Sequence, residues 1–129
     1  MASRNWNDEG VLGVKRCRVD FKFNPQGALA PTFSRDQARG VASITRTGVG
    51  TFLVTLEDTF RTLVARVATV QLAAAADVAV QFGTIANVGA ALPPTIEVRL
   101  VAGAAPVDVA ANSENSISVS LMFNDSDTF

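Results

Sequence analysis

The sequence predicts an all-β fold, an antiparallel β-sandwich of seven or eight short strands, and three observations support it. Segments near both ends alternate apolar and polar residues with a period of two. Turn-forming residues separate the apolar segments at near-regular intervals. No long segment has the periodicity of an amphipathic helix. Two packed antiparallel sheets bury such strands, in a jelly-roll-like arrangement or, as an alternative, an immunoglobulin-like sandwich.

The first strand is predicted at residues 14–23, where apolar and charged residues alternate strictly. Its buried face is expected to hold Cys17, Val19, Phe21 and Phe23, opposite Arg16, Arg18, Asp20 and Lys22. A turn follows at residues 24–27, because Pro25 presets its own backbone torsion and Gly27 accepts a positive one. Residues 28–40 are predicted to be a loop with a short strand near Phe33.

A hairpin is predicted next, with strands at residues 41–46 and 51–56. Gly48 and Gly50 lie between them and permit a tight reversal of the chain. In the second strand Phe52, Val54 and Leu56 share one face, so this strand also buries one side.

Residues 63–72 are apolar on both faces, and two structures compete for them. The alanines at 73–76 favour helix. The β-branched Val64, Val67 and Val70 favour strand. We therefore predict a strand that is covered on both sides.

The rest of the chain predicts three further strands, at residues 78–82, 96–100 and 117–123, with a brief extended piece at 107–109. Residues 83–94 and 103–115 are predicted to be loops, because they are rich in small and polar residues and Pro106 excludes a central strand. The last strand is as regular as the first, with apolar residues alternating with serines.

The domain organisation follows from length and polarity. Residues 13–129 fit a single β-sandwich domain that is large enough to fold without disulfides or metal. Residues 1–12 are mostly polar and are predicted to be an extended N-terminal arm. Trp6 in this arm suits an interface anchor, although it could also fold back on its own domain. The predicted partner-binding residues are Arg4, Trp6, Val11, Leu12 and Arg35.

The composition argues against catalysis. The 129 residues include no His, no Tyr and a single Cys, Cys17. Nucleophilic triads need a base that exchanges protons near neutral pH, and structural zinc sites need His and Cys clusters. We therefore expect no catalytic residues, no cofactor-binding residues and no metal ligands, and we do not expect an enzyme.

The charge is low and unevenly distributed. Only 18% of the residues are charged, and residues 67–96 contain one charged side chain, Asp77. Such a surface predicts association with further copies of the chain.

Residues 1–66 carry ten basic and six acidic residues, a net charge of +4, and residues 67–129 carry one basic and six acidic residues, a net charge of −5. This balance does not favour nucleic acid, and no apolar segment long enough for a membrane helix is present. The polar start suggests synthesis in a cytoplasm rather than secretion.

One pattern resembles a known class of proteins. Residues 43–56 read S-I-T-R-T-G-V-G-T-F-L-V-T-L, and the similarity continues through 71–72, 78–83 and 110–121. The pattern resembles small virion proteins of tailed bacteriophages, of the capsid decoration (cement) or head-associated type. The resemblance spans residues 41–123 and rests on turns and strands rather than on a site.

The resemblance implies a structural protein. Cement proteins are β-rich oligomers, often trimers, that bind the outer capsid surface and stabilise junctions between subunits of the major capsid protein. It implies a virion location, made in the host cytoplasm, with the major capsid protein and further copies of the chain as partners. Similar hairpins occur in phage tails, so a tail or receptor-binding fibre β-domain that contacts the host surface is the alternative.

Overall fold

The structure is a computed structural model that describes residues 16–34 and 36–124. Within these residues the chain forms nine β-strands and no helix, which confirms the predicted all-β class. The strands are β1 (Arg16–Gln26), β2 (Leu29–Thr32), β3 (Val41–Gly48), β4 (Thr51–Leu56), β5 (Thr62–Gln71), β6 (Ala79–Ala86), β7 (Thr95–Ala102), β8 (Ala105–Pro106) and β9 (Ser116–Asn124).

The strands form two antiparallel sheets. The four-stranded sheet has the order β2-β1-β9-β5. The five-stranded sheet has the order β3-β4-β7-β6, with the short β8 paired to the end of β7. The first described strand, β1, therefore pairs with the last, β9. In the other sheet β4 pairs with β7, and both of these strands lie between β1 and β9 in the sequence. This order is that of an all-β, sandwich-like fold.

The core lies between the two sheets, and alternation places it there. Phe21 and Phe23 on β1 are buried, while the charged residues between them face outward. Phe23 meets Phe52 of the opposite sheet edge to face, with ring centroids 5.2 Å apart. Phe60 stacks on Phe123 with centroids 4.3 Å apart. Burying each of these rings stabilises the fold by about 1.5–3 kcal/mol.

The ends of the first two strands differ from the sequence prediction. β1 continues through Pro25, and the turn lies at Gly27, where φ is 63°. The register shifts between the pairs Asn24–Thr32 and Gln26–Leu29. Such an irregularity accommodates a proline, which has no N–H to donate to a ladder. The short strand predicted near Phe33 accordingly falls earlier, at β2.

Two segments predicted as loop or extended chain also differ. β6 continues past Gly83 because the register shifts between Phe82 and Ile85. A Cβ at position 83 would collide with the carboxylate of Glu97, which accepts hydrogen bonds from the Thr84 amide at 3.1 Å and from Arg99 at 2.9 Å. In the second segment, residues 103–115, the residues that pair with another strand are those of β8 and not the predicted 107–109.

Candidate interaction surface

The residues predicted to contact partners all lie outside the described residues. The structure describes neither residues 1–15 nor residue 35. The assignments that stay predictions are Arg4, Trp6, Val11, Leu12 and Arg35. The structure does describe the region of low charge at residues 67–96, which begins within β5.

β5 corrects one prediction. It was expected to be covered on both faces, but it is the last strand of the four-stranded sheet, and most of its residues are exposed. The exposed fractions are 43% for Val64 and 59% for Val67. The expectation was wrong because apolar residues on both faces of a strand show what it could bury, not what lies beside it.

The open edge of β5 is unusual for an edge strand. Within the described residues β5 pairs only with β9, so one side of its backbone is left without a neighbouring strand. Native edge strands are commonly protected by short length, lysine, proline or bulges. β5 has ten residues, no lysine and no proline, and a single irregularity between Leu63 and Ala65. Such an edge accepts another strand readily.

The neighbouring edge of the second sheet continues this surface. β6 ends the five-stranded sheet on the same side of the sandwich as β5 and carries no charged residue. Arg66 is the single charged residue of the two strands. Its guanidinium lies 5.3 Å from the centre of the Phe82 ring and so spans the gap between the sheets. We call the exposed side formed by β5 and β6 the apolar edge.

The opposite side of the sandwich is better protected. β2 has four residues and includes Pro31. Beyond it, the loop after Phe33 runs beside β1, where the Lys22 amide donates to the Gln37 carbonyl at 2.9 Å. β3 ends the other sheet, and its register is irregular near both of its ends. The two sides therefore differ, and the apolar edge is the one suited to strand pairing.

A shallow groove of about 430 Å³ lies on the outer face of the four-stranded sheet. Most of its exposed lining surface is apolar, and hydroxyl, charged and amide side chains supply the rest. The polar lining residues are Asp20, Lys22, Asp36, Gln37, Thr69, Ser118 and Ser120. Val67 also lines it, so the groove adjoins the apolar edge. Its polar groups are suited to hydrogen bonding with a polar surface or ligand.

The outer face of β1 carries a basic row. Arg16, Arg18 and Lys22 are exposed and share this face, because residues two apart on a strand point the same way. Asp20 lies in the same row and forms an exposed ion pair with Arg18 at 3.1 Å. The row therefore has a net charge of +2 beside the groove.

The motif that carries the family resemblance has a structural role. Arg46 donates two hydrogen bonds to the carboxylate of Asp108, at 3.1 and 2.7 Å, and the Gly50 amide donates to the same carboxylate at 2.8 Å. The side chains of the pair are mostly shielded, with exposed fractions of 20% and 24%. Asp108 thus ties the β3–β4 hairpin to the segment before β9. The charges in this motif hold the fold rather than a ligand.

The same contacts shift the acidity of Asp108. The hydrogen bonds from Arg46 hold the pKa of Asp108 below its ordinary value, and the Gly50 amide lowers it further, although desolvation opposes both. The pKa of Arg46 is raised, chiefly by its hydrogen bond to Asp108. Asp108 is therefore charged at neutral pH and stabilises the hairpin in that form.

Replacing Asp108 with asparagine is expected to lower the melting temperature by several degrees at neutral pH. A folded-state pKa below the unfolded value makes the charged carboxylate stabilising above that unfolded value, which is near 3.8 for aspartate. The contribution is lost as the pH falls through the lower folded-state pKa. The melting temperatures of the two proteins should therefore begin to approach each other below about pH 3.8 and converge only below the lowered folded-state pKa of Asp108. Asp20→Asn is the matched control, because its exposed ion pair contributes little. A difference that persists unchanged in acid would contradict this account.

Asn115 fixes further segments at the same end of the sandwich, where it lines one cavity together with Asp108. Its amide nitrogen donates to the Ala110 carbonyl at 2.9 Å, and its side-chain oxygen accepts from the Ala73 amide at 2.7 Å. Its own carbonyl accepts from the side chain of Asn24 at 2.8 Å. This buried side chain holds the end of β5 against the loop before β9. The apolar edge is therefore anchored at its C-terminal end.

The comparisons add no identity to this picture. No family model, no curated protein and no solved structure matches the chain. Residues 16–34 and 36–124 contain no group of three or more His, Cys, Asp or Glu that could hold a metal ion. No helix in that part of the chain is long and apolar enough to cross a membrane.

Proposed function

We propose that this chain is a capsid decoration (cement) protein of a tailed bacteriophage. In this role it binds the outer capsid surface as an oligomer and stabilises junctions between subunits of the major capsid protein. The observation that carries the proposal is the apolar edge, an uncapped and nearly uncharged side on an otherwise well-packed sandwich. A protein that works by assembly needs such a surface, because contacts between copies replace contacts with water.

Two further features support the proposal. The resemblance to phage head proteins runs through the β3–β4 hairpin, and the structure gives that motif a fold-holding role through Asp108. The basic row on β1 offers a charged face that could meet an acidic shell, and such contacts set orientation and association rate. The partners in this proposal are the major capsid protein and further copies of the chain, on the virion surface.

Cryo-electron microscopy of decorated shells tests the proposal. Shells of the major capsid protein from the encoding phage, assembled without this chain, are mixed with the purified protein. We expect regular added density at subunit junctions.

A variant that lacks residues 1–12 is expected to keep the melting temperature of the full chain and to decorate the shells weakly. Bare shells after mixing with the folded full-length protein would refute the proposal.

The groove beside the basic row favours a second function, that of a tail or receptor-binding fibre domain. Its lining hydroxyls of Thr69, Ser118 and Ser120 and its carboxylates of Asp20 and Asp36 are suited to hydrogen bonding with the hydroxyls of a host-surface glycan. Protein located at the tail of imaged virions, together with glycan binding that is lost in Asp20→Ala, would favour this function over the first.

A further inference from the structure

We propose that β5 pairs with β5 of a second copy around a two-fold axis, so that two four-stranded sheets become one continuous eight-stranded sheet. The inference rests on the proposed function only in that an oligomer is needed there. Its own evidence is the apolar edge and the contrast with the opposite side of the sandwich.

The first step concerns the exposed backbone. An edge strand presents a row of unpaired N–H and C=O groups along one side. β5 is a ten-residue strand paired on its other side with β9, so alternate residues present such groups to the open side. Its end is held in place by Asn115, which accepts a hydrogen bond from the Ala73 amide. A strand held this way is organised before binding, which reduces the entropy lost on pairing.

The second step concerns which occupant fits. Val64 and Val67 are exposed beside the open edge, and Arg66 is the single charge in β5. A second β5 offers the same apolar side chains and the same length, so it matches this edge without help from another protein. A charged partner segment would find only Arg66 to pair with, and that side chain is engaged by the Phe82 ring.

The third step concerns symmetry. Pairing of β5 with the β2 side of another copy would leave an open edge at each end and extend into a fibre. The β2 edge opposes that contact, because it has four residues and includes Pro31. Among the described residues of the four-stranded sheet, β5 is therefore the one long open edge. Pairing this edge with the same edge of a second copy around a two-fold axis uses both open edges and closes the assembly as a dimer.

The fourth step concerns register. Val67 lies opposite Ser120 of β9 and so shares the outer face of the sheet with Ala65 and Thr69. An antiparallel register that opposes the two Val67 side chains places each Arg66 opposite Ala68 of the partner subunit. This arrangement avoids direct opposition of the two arginines, which would be destabilising.

Sedimentation and light scattering test the pairing on the full chain. We expect a mass twice that of the 13.5 kDa chain at micromolar concentration. Val67→Lys should weaken the dimer by about tenfold or more, because symmetry brings two lysines into one apolar contact. The matched control is Leu29→Lys, which changes a side chain that is 72% exposed on β2. This control should leave the dimer unchanged.

Amide hydrogen exchange provides a second reading that does not depend on a variant. Protection of β5 amides should rise with the concentration of the wild-type protein, while protection in β2 should not change. Should Val67→Lys fail to melt like the wild type, Val64→Lys replaces it, since Val64 is also exposed beside the edge.

Several results would overturn the pairing. A wild-type monomer at high micromolar concentration, a trimer, or a Val67→Lys protein that dimerises as tightly as Leu29→Lys would each do so. A monomer that still decorates shells overturns the pairing and leaves the cement function standing. A β5-paired dimer that binds no shell supports the pairing and refutes the cement function.

Discussion

Replacing Phe52 with alanine is expected to lower the free energy of unfolding by about 3–5 kcal/mol. The Phe52 side chain is fully buried on β4 and meets Phe23 of the opposite sheet, so its removal leaves a cavity between the sheets. The loss includes the favourable edge-to-face contact, which contributes about 0.5–1.5 kcal/mol beyond the buried area. Because small domains are stable by only about 5–15 kcal/mol, we expect a large shift in chemical denaturation.

Phe33→Ala is the matched control for this prediction. Phe33 is partly buried and packs at the margin of the core, so the same change there is expected to cost about 1 kcal/mol. Equal losses at positions 33 and 52 would show that Phe52 does not bridge the two sheets as described. The comparison therefore tests the sandwich itself, on which the position of the apolar edge depends.

Replacing Gly50 with alanine is expected to cost about 2–5 kcal/mol, from two separate causes. Gly50 has a φ of 60°, in the left-handed region that side chains disfavour. A Cβ there would also collide with the Val107 carbonyl and lie 2.8 Å from the Leu100 carbonyl. These are backbone atoms, which cannot move aside as a flexible side chain does. Thermal and chemical denaturation of the variant measure the total.

Two other glycines separate the causes. Gly27→Ala introduces a side chain at a φ of 63° with no atom within 4 Å, so it should show the backbone cost alone, about 1–2 kcal/mol. Gly48→Ala changes the neighbouring glycine of the hairpin motif, which also has open space around it, and its effect should be small. If Gly50→Ala costs no more than Gly27→Ala, the close approach to Val107 is not as described.

The strands with strict alternation could be predicted from the sequence. β1 and β9 each have one apolar and one polar face, and the structure buries the apolar ones. The β3–β4 hairpin was also predicted, because its glycines mark the reversal. These features depend on neighbours within a few residues, so a local pattern is enough to specify them.

The features that the sequence did not predict depend on contacts between distant segments. Gly83 looks like the start of a loop, but the Glu97 side chain packs against it and β6 continues. Asp108 gives no sign in the sequence that it closes the hairpin, since it lies 62 residues after Arg46. A sequence pattern does not report contacts between distant segments, and each of these features depends on one.

The candidate surface likewise has features that the local sequence predicts and one that depends on distant strands. The low charge of residues 67–96 predicted a surface for association, and the absence of lysine and proline from β5 could have signalled an open edge. Hydrophobicity and alternation are properties of the strand itself, so they specify the β class and the inward faces. Whether β5 is central or outermost depends on which strands pair across the whole chain. Only the tertiary structure decides that, and it thereby turns a strand predicted to be covered into the exposed edge on which both proposals depend.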